Sequence, residues 1–447
     1  MTIKNIIDNN LCTGCGVCIS EDKSNSSSMG WNSEGFLVPE INDTSFHNEM
    51  ERVCPFNLKG NLNEDSLANS FLDSALYRDN DIGYYSGLYV GYSKEYRETS
   101  SSGGMATFIF DNLLQSGKVD NLFIVKELNG EYKYQLFNNV QKIKSISKTR
   151  YFPVTLETLF TEINNIKGTV AVSGVACFIK AIRLKQSYNP ELKAKIPFLV
   201  GIICGGLKSK YYSDFLAQSA GCFDEYGSAE YRVKKPESYA LDYNFSCKDK
   251  YGERIHIVEM RTLGDMWGTG LFKSNACDFC DDVTTELADI SLGDAWIEPY
   301  NKEGLGNSVV ITRSKLADEI IRHGIEQDLL HIKHASLTQI KESQQGSFNH
   351  RHKGLHFRIE NAHKHGMSTP PKRDRFLVKQ SVMINRIQKL RLITRENSLR
   401  IWSDTKNVDR FNEDMKPFLI NLKKATSTYK LYSRIINKIK KILRGSK

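Results

Sequence analysis

No stretch of this 447-residue chain is apolar for long enough to cross a bilayer as a helix. The most apolar run, Phe198 to Leu207, is about half the required length. The opening residues Met1-Thr2-Ile3-Lys4-Asn5 lack the apolar core of a secretory leader, so the chain is expected to be cytoplasmic. No repeat of fixed period is visible, which argues against a solenoid or propeller. Disulfides are rare in the cytoplasm, so the ten cysteines are read as metal ligands or buried thiols. Hydrophobic residues make up 40% and charged residues 25%, ordinary values for a globular protein. The length suits two or three domains with a real core. The net charge of +9 is uneven: residues 372–447 hold 21 Lys and Arg against 6 Asp and Glu, so the rest is mildly acidic. A basic tail of this kind suggests an anionic surface or partner.

The cysteines fall into groups. Cys12, Cys15 and Cys18 recur every third residue, and Cys54-Pro55 stands apart. This is the spacing by which bacterial ferredoxins wrap a 4Fe–4S cube, with a distant Cys-Pro closing the site. The local fourth position is Asp22, and no second triple run precedes Cys54. The pattern predicts one cluster held by Cys12, Cys15, Cys18 and Cys54. A zinc site, the main alternative, usually uses two separated pairs.

From Tyr84 the chain alternates between apolar strands and amphipathic helices. Strands are expected at 88–92, 121–126, 169–173, 196–204, 239–245, 255–259 and 308–312, and helices at 105–116, 155–166, 177–185 and 210–219. This predicts an α/β domain with a mixed sheet. Residues 61–82 read as helix plus linker, and the chain becomes helical and basic from about residue 346.

A second cysteine group is Cys277-Asp278-Phe279-Cys280, joined by Cys177 and Cys204, each following an apolar strand. Strand ends in an α/β sheet converge on one edge, so four thiols there suit a second cluster. Spacing alone leaves open that Cys177 and Cys204 are simply small buried side chains. Cys222 and Cys247 read as structural. The turn Ser100-Ser101-Ser102-Gly103-Gly104 before the helix at Met105 offers backbone N–H groups, hydroxyls and a helix N-terminus to an anion. It matches neither the dinucleotide fingerprint nor the P-loop, and an ordinary N-cap would look the same. Asp294, in the turn-like Leu292-Gly293-Asp294-Ala295-Trp296, is a candidate proton donor or hydrogen-bond partner of a cofactor. His350, His352, His356, His363 and His365 are interleaved with Arg and Lys. That favours an anionic substrate or a solvated face over a metal. The last helix, from Tyr429 to Arg444, places Leu431, Ile435, Ile439 and Ile442 on one face. It suits an anionic membrane surface, a partner protein or docking on the body.

Taken in order, several of these stretches resemble the coenzyme F420 hydrogenase/dehydrogenase beta-subunit family, which also includes a plant 7-hydroxymethyl chlorophyll a reductase. The resemblance spans roughly residues 8–340. It rests on the ferredoxin segment, the Ser-Ser-Gly-Gly turn with Thr107, Lys148-Thr149-Arg150-Tyr151, Gly174-Val175-Ala176-Cys177, Cys204-Gly205-Gly206, and Cys277-x-x-Cys280 with Ala288 to Trp296. It implies an iron–sulfur flavoprotein in which Cys177, Cys204, Cys277 and Cys280 hold a second 4Fe–4S cluster. FAD would lie on Ser101, Ser102, Gly103, Gly104 and Thr107, with Lys148 and Tyr151 in the flavin-contacting stretch. The chain departs from the family at Ala176, Phe178, Gly205 and Ser274-Asn275-Ala276, which bears on the substrate more than on the clusters.

The expected architecture is therefore mixed α+β and α/β. A ferredoxin-like 4Fe–4S domain would occupy residues 1–75, an α/β flavin and second-cluster domain 82–345, and a basic helical extension 346–447. The expected activity is that of an oxidoreductase. Electrons would pass between a ferredoxin-like partner, the clusters and FAD, to or from an organic substrate, with Asp294 beside the flavin. Family members of this shape in surface-polysaccharide gene sets suggest a role there. The alternatives are an electron-transfer subunit with no substrate of its own, and a membrane-associated scaffold with structural clusters. Nucleic acid is not an expected partner. The cytoplasmic protein would lie, where its tail binds lipid, at the inner face of the membrane.

Overall fold

A computed structural model describes residues 3–60, 62–128 and 131–445, without the side chains at 128, 437, 438 and 440–445. The terminal-helix positions Lys438, Lys441, Ile442, Leu443 and Arg444 lie, as side chains, outside the described residues.

The centre of the molecule is an eight-stranded mixed sheet. Its four inner strands, Ile290–Asp294, Phe198–Ile202, Val170–Val175 and Asn121–Leu128, run parallel in that spatial order. Their apolar sequences suit burial on both faces, as parallel strands require. Val170, Val172 and Leu199 enter the core on one side of the sheet, while Ala171, Phe198 and Val200 enter the core on the other. Ser308–Thr312, Gly87–Ser93 and Leu330–His334 extend the sheet antiparallel beyond Ile290–Asp294. Glu131–Phe137 closes the opposite edge as a hairpin with Asn121–Leu128.

Helices Met105–Gln115 and Lys315–Glu326 contribute Phe108, Ile109, Leu113, Ile320 and Ile321 to one core. Helix Ala176–Tyr188 lies on the other face, where Ile179 and Ile182 share a core with Ile3, Ile6, Val17, Met50 and Val53 of the N-terminal segment. That segment carries a small hairpin, Ser28–Trp31 with Leu37–Glu40, and the helix His47–Val53. A separate antiparallel sheet of Tyr226–Val233, Asn244–Asp249 and Ile255–Glu259 flanks the body.

Three expectations change in detail. The strand expected at 239–245 begins only at Asn244. Upstream, Ser238 Oγ donates to Asp242 (2.6 Å) and the Asp242 N–H to the Tyr239 carbonyl (2.9 Å), holding a turn. The helix expected over 155–166 is confined to Glu157–Glu162. Within 61–82 the helix Glu64–Phe71 is followed by the start of a hairpin, Tyr77–Asp79 with Gly83–Tyr85, rather than by a plain linker. Its turn is set by Asp79 Oδ1, which accepts from the Asp81 and Ile82 N–H groups.

The C-terminal helices pack on the body. Leu399, Trp402, Phe411 and Met415 share an aromatic core with Tyr212, Phe215 and Phe272. Cys222 and Cys247 are buried in that same core. Helix Val382–Thr405 and the long helix Val408–Gly445 form a hairpin. Towards its end the long helix leaves the body, and Leu431, Ile435 and Ile439 are exposed. No helix among the described residues is long and apolar enough to cross a membrane.

Candidate functional site

The first cysteine group is built by a local loop. Cys12 and Cys15 precede the 3-10 turn Val17–Glu21, which carries Cys18, and Cys54 ends the helix His47–Val53. Gly14 (φ +72°) and Gly16 (φ +73°) are left-handed, and a Cβ at Gly16 would lie 1.9 Å from Thr155 Oγ1. Only glycine lets the loop turn this sharply against the body. The four thiols line a hollow of about 360 Å³ with Ile3, Ile6, Ile7, Pro39, Val53 and Pro55. Burial pushes the Cys12 thiol up to about 12. Four thiols in apolar walls are costly to ionise alone, and a bound iron cluster supplies the compensating charge. Asp22, at the ferredoxin fourth position, faces elsewhere: its carboxylate accepts from the Ser24 and Ser27 N–H groups and organises the serine loop.

The second group is assembled from distant stretches. Cys177 follows the end of Val170–Val175, and Cys204 follows the end of Phe198–Ile202. These are neighbouring parallel strands, so their ends share one sheet edge. Cys277 and Cys280 come from the turn Asn275–Phe279. Burial, and then the nearby Cys277, Cys280 and Cys204 sulfurs, push the Cys177 thiol up; Cys15 adds to this from the first group. The four predicted ligands are therefore together, and Cys177 faces the first site. The Gly206 N–H donates to Cys204 Sγ (3.2 Å) and the Leu207 N–H to Cys277 Sγ (3.1 Å). Arg351, a residue to which the sequence pattern assigned no such role, donates from Nη1 to Cys280 Sγ (3.4 Å).

Among the described residues no three His, Cys, Asp or Glu side chains converge as for a single metal ion. The histidine stretch is instead largely absorbed into packing. His352 stacks on Phe376 at 3.7 Å between centroids. His350 lies 2.8 Å from Lys273 Nζ and 3.2 Å from Asp278 Oδ1.

The third region lies along the same sheet edge. Gly104 (φ +77°) caps the helix Met105–Gln115 with no side-chain cap bond, and a Cβ on Gly103 would meet the Gly91 carbonyl at 2.7 Å. Ser101 Oγ accepts from the Thr149 N–H (2.9 Å), tying the serine turn to the Lys148–Tyr151 stretch. Ser102 Oγ donates to the Asn307 carbonyl (3.1 Å), and Thr107 Oγ1 pairs with Ser147 Oγ (2.7 Å). Lys234 Nζ donates to the Ser102 carbonyl (2.7 Å). Burial, then Arg232, Arg97 and Lys148, bring the Lys234 ammonium down to about 7. Lys148 has a partner in Glu230 (3.1 Å). Asp294, at the end of the strand Ile290–Asp294, accepts from Arg232 Nη1 with both carboxylate oxygens at 2.7 Å.

This surplus of cations faces a turn that presents backbone N–H groups, as a phosphate-bearing cofactor requires. Ser100 Oγ, Arg150 Nε and Arg232 Nε are buried without a hydrogen-bond partner, a state that usually signals a missing ligand or water. The site thus fits an anionic flavin nucleotide. Tyr151, buried beside Tyr231 and Trp267, lies at its inner end. Trp267 reaches back to Gly205, where a Cβ would be 3.0 Å from its ring. Arg97, Lys234 and Arg232 escaped the sequence reading because isolated basic residues on strands and loops form no motif.

Two family profiles match the chain, both describing the beta subunit of coenzyme F420 hydrogenase/dehydrogenase. The profile of its N-terminal part covers residues 88–160, and the profile of its C-terminal part covers 167–337. Together they span more than half of the sequence. Among curated proteins, the F-type subunit of the F(420)H(2) dehydrogenase of Methanosarcina mazei is 20% identical over 325 residues, 68% of this chain and 82% of that protein. Coenzyme F420-dependent sulfite reductase of Methanocaldococcus jannaschii is 20% identical over 334 residues, 71% of this chain but 46% of the relative. A chain in the xenon-derivatised F420-reducing [NiFe] hydrogenase complex of Methanosarcina barkeri shares the fold. Its TM-score is 0.50 at 19% identity, over 66% of this chain and 99% of that one.

Proposed function

Because the chain belongs to the coenzyme F420 hydrogenase/dehydrogenase beta-subunit family, we propose that it is an iron–sulfur flavoprotein oxidoreductase subunit. It would pass electrons between a protein partner, two 4Fe–4S clusters and FAD. The observation that carries this reading is the order of the three regions. Cys15 of the first group adjoins Cys177 of the second, and Cys204 of the second leads through Gly205 and Trp267 to Tyr151 beside the serine turn. A flavin, when bound, supplies the exchange between one-electron and two-electron chemistry.

The residues of the chain do the holding and orienting. Cys12, Cys15, Cys18 and Cys54 would ligate one cluster, and Cys177, Cys204, Cys277 and Cys280 the other. Ser101, Ser102, Gly103, Gly104 and Thr107 would seat the flavin, with Lys148, Arg150 and Lys234 answering its negative charge. Tyr151 would close the apolar side. Asp294, engaged by Arg232, would fix that guanidinium toward the cofactor as a hydrogen-bond partner rather than act as a free proton donor. The relatives' names point to a larger redox complex as partner and to coenzyme F420 as the organic carrier at the flavin. The surface-polysaccharide connection finds no support in them.

Anaerobic purification with iron, sulfide and flavin assays tests the proposal. About eight irons and one flavin per chain are expected; a chain without flavin, or with no iron, would refute it. Turnover of reduced F420 by the isolated chain would show a substrate site of its own, whereas turnover only with a copurifying partner would mark a pure transfer subunit.

A membrane contact is a further part of the proposal, because Leu431, Ile435 and Ile439 are exposed on a basic helix end. Deleting residues 428–447 should abolish binding to anionic vesicles; unchanged binding removes the membrane contact.

A further inference from the structure

The family profiles end at residue 337, yet the second cysteine group is closed by residues beyond that point. The π-helical turn Asn349–Lys353 carries Arg351, which is 3% exposed. Its Nη1 donates to Cys280 Sγ at 3.4 Å and to the Asp282 carbonyl, and its Nη2 to the Cys204 carbonyl at 2.6 Å. It thus grips both chain segments that bring ligands to the site and aims a fixed positive charge at one sulfur.

The turn itself is locked in place. Arg358 Nη2 donates to the His350 carbonyl (2.8 Å) and its Nε to the carbonyl of Asp278, inside the Cys277-x-x-Cys280 loop (2.5 Å). Asp278 is clamped by Lys273 Nζ (2.5 Å) and Arg395 Nε (2.9 Å). Nothing equivalent faces the first group, whose hollow is lined by isoleucine, valine and proline beside the cysteines.

We infer that Arg351, delivered by the C-terminal segment outside the matched family region, is a positioning and charge-compensating residue of the second cysteine site that makes it the electron-accepting one of the pair. The inference rests on the proposed two-cluster reading. A cation that donates to a ligand sulfur stabilises the extra negative charge of a reduced cluster, which raises its potential. One electron moving from the first site to the second leaves the first oxidised by one and the second reduced by one, with no proton or bond exchanged. The direction of transfer would therefore be set by a segment outside the body that the family profiles match.

The test is an EPR-monitored redox titration of the purified full-length protein with its clusters in place. Wild type should show two midpoint potentials, and Cys18→Ser, which keeps only the second site, should retain the higher one. Arg351→Gln should lower that midpoint and leave the other unmoved, and Arg351→Lys should shift it less. Two results would overturn the inference. In one, Arg351→Gln keeps all its iron and both midpoints. In the other, the Gln and Lys variants lose the same half of the iron, which marks Arg351 as a space-filling plug. Wild type holding only about four irons would instead undo the two-cluster reading, and the two failures are told apart by the iron count alone.

Discussion

The two four-cysteine sites solve one problem in opposite ways. The first draws three of its thiols from seven consecutive residues, Cys12 to Cys18, and walls them with apolar side chains. The second draws its thiols from three distant stretches and surrounds them with buried charge. Arg351, Lys273, Asp278, Arg358 and Arg395 are all nearly fully buried there. A local loop can hold its site once its two glycines have turned. A site made from strand ends exists only when the sheet, the turn Asn275–Phe279 and the C-terminal helices are all in place. The first is thus a self-contained port, and the second is a junction whose electrostatics the whole fold sets.

The comparison breaks most visibly at Asp278. Asp278→Ala leaves Lys273 and Arg395 buried without their shared partner. Removing one side of a buried ion pair costs about 3–5 kcal/mol. Thermal unfolding should show that loss, and iron analysis should show depletion of the second site with the first retained. At the first site the matching change is apolar. Ile6→Ala, fully buried against the hollow, should cost about 2–4 kcal/mol from transfer and cavity terms. It should destabilise the first cluster and leave the second. If both variants lose the same cluster, the two sites are not independent and the contrast fails.

Smaller effects sharpen the flavin end. Lys234 has its ammonium brought down to about 7 by burial and by neighbouring cations. Its unfolded value is near 10.4, so between these limits the unfolded chain binds more protons. Stability owed to this group therefore rises with pH across that window and is lost below about 7. Binding of a phosphate-bearing flavin should run the other way, weakening as pH rises through the same range. Flavin fluorescence titrations at several pH values read this directly, and Lys234→Met should flatten the dependence. The smallest effect expected is at Ser102, whose hydroxyl donates to the Asn307 carbonyl. Ser102→Ala should weaken flavin binding by about 1 kcal/mol, the worth of one ordinary hydrogen bond, and leave both clusters intact.

What was legible in the sequence follows the same divide. Cys12, Cys15, Cys18 and Cys54 could be assigned from spacing because a loop ligand set is local. The inner strands were legible because burial on both faces leaves continuous apolar runs such as Phe198 to Ile202. The strands Glu131–Phe137 and Tyr226–Val233 were missed, since half-exposed edge strands mix charge with apolar residues. Cys177, Cys204, Cys277 and Cys280 could be grouped only through the family resemblance. Arg351 lay in plain view within His350-Arg351-His352, yet its basic neighbours suggested a solvated face. Burial of a charged side chain depends on partners far away in the chain, here Cys280 and Asp282, and leaves no periodic signal. The same holds for Arg232 and Lys234 beside the serine turn.

The electron path depends most directly on the adjacency of the two sites at Cys15 and Cys177. EPR of the fully reduced, anaerobically purified chain measures it. Two neighbouring reduced clusters should give a spin-coupled spectrum that collapses to a single simple signal in either Cys18→Ser or Cys277→Ser. A single uncoupled signal in the wild-type protein, unchanged by Cys277→Ser, would contradict that adjacency and the path built on it.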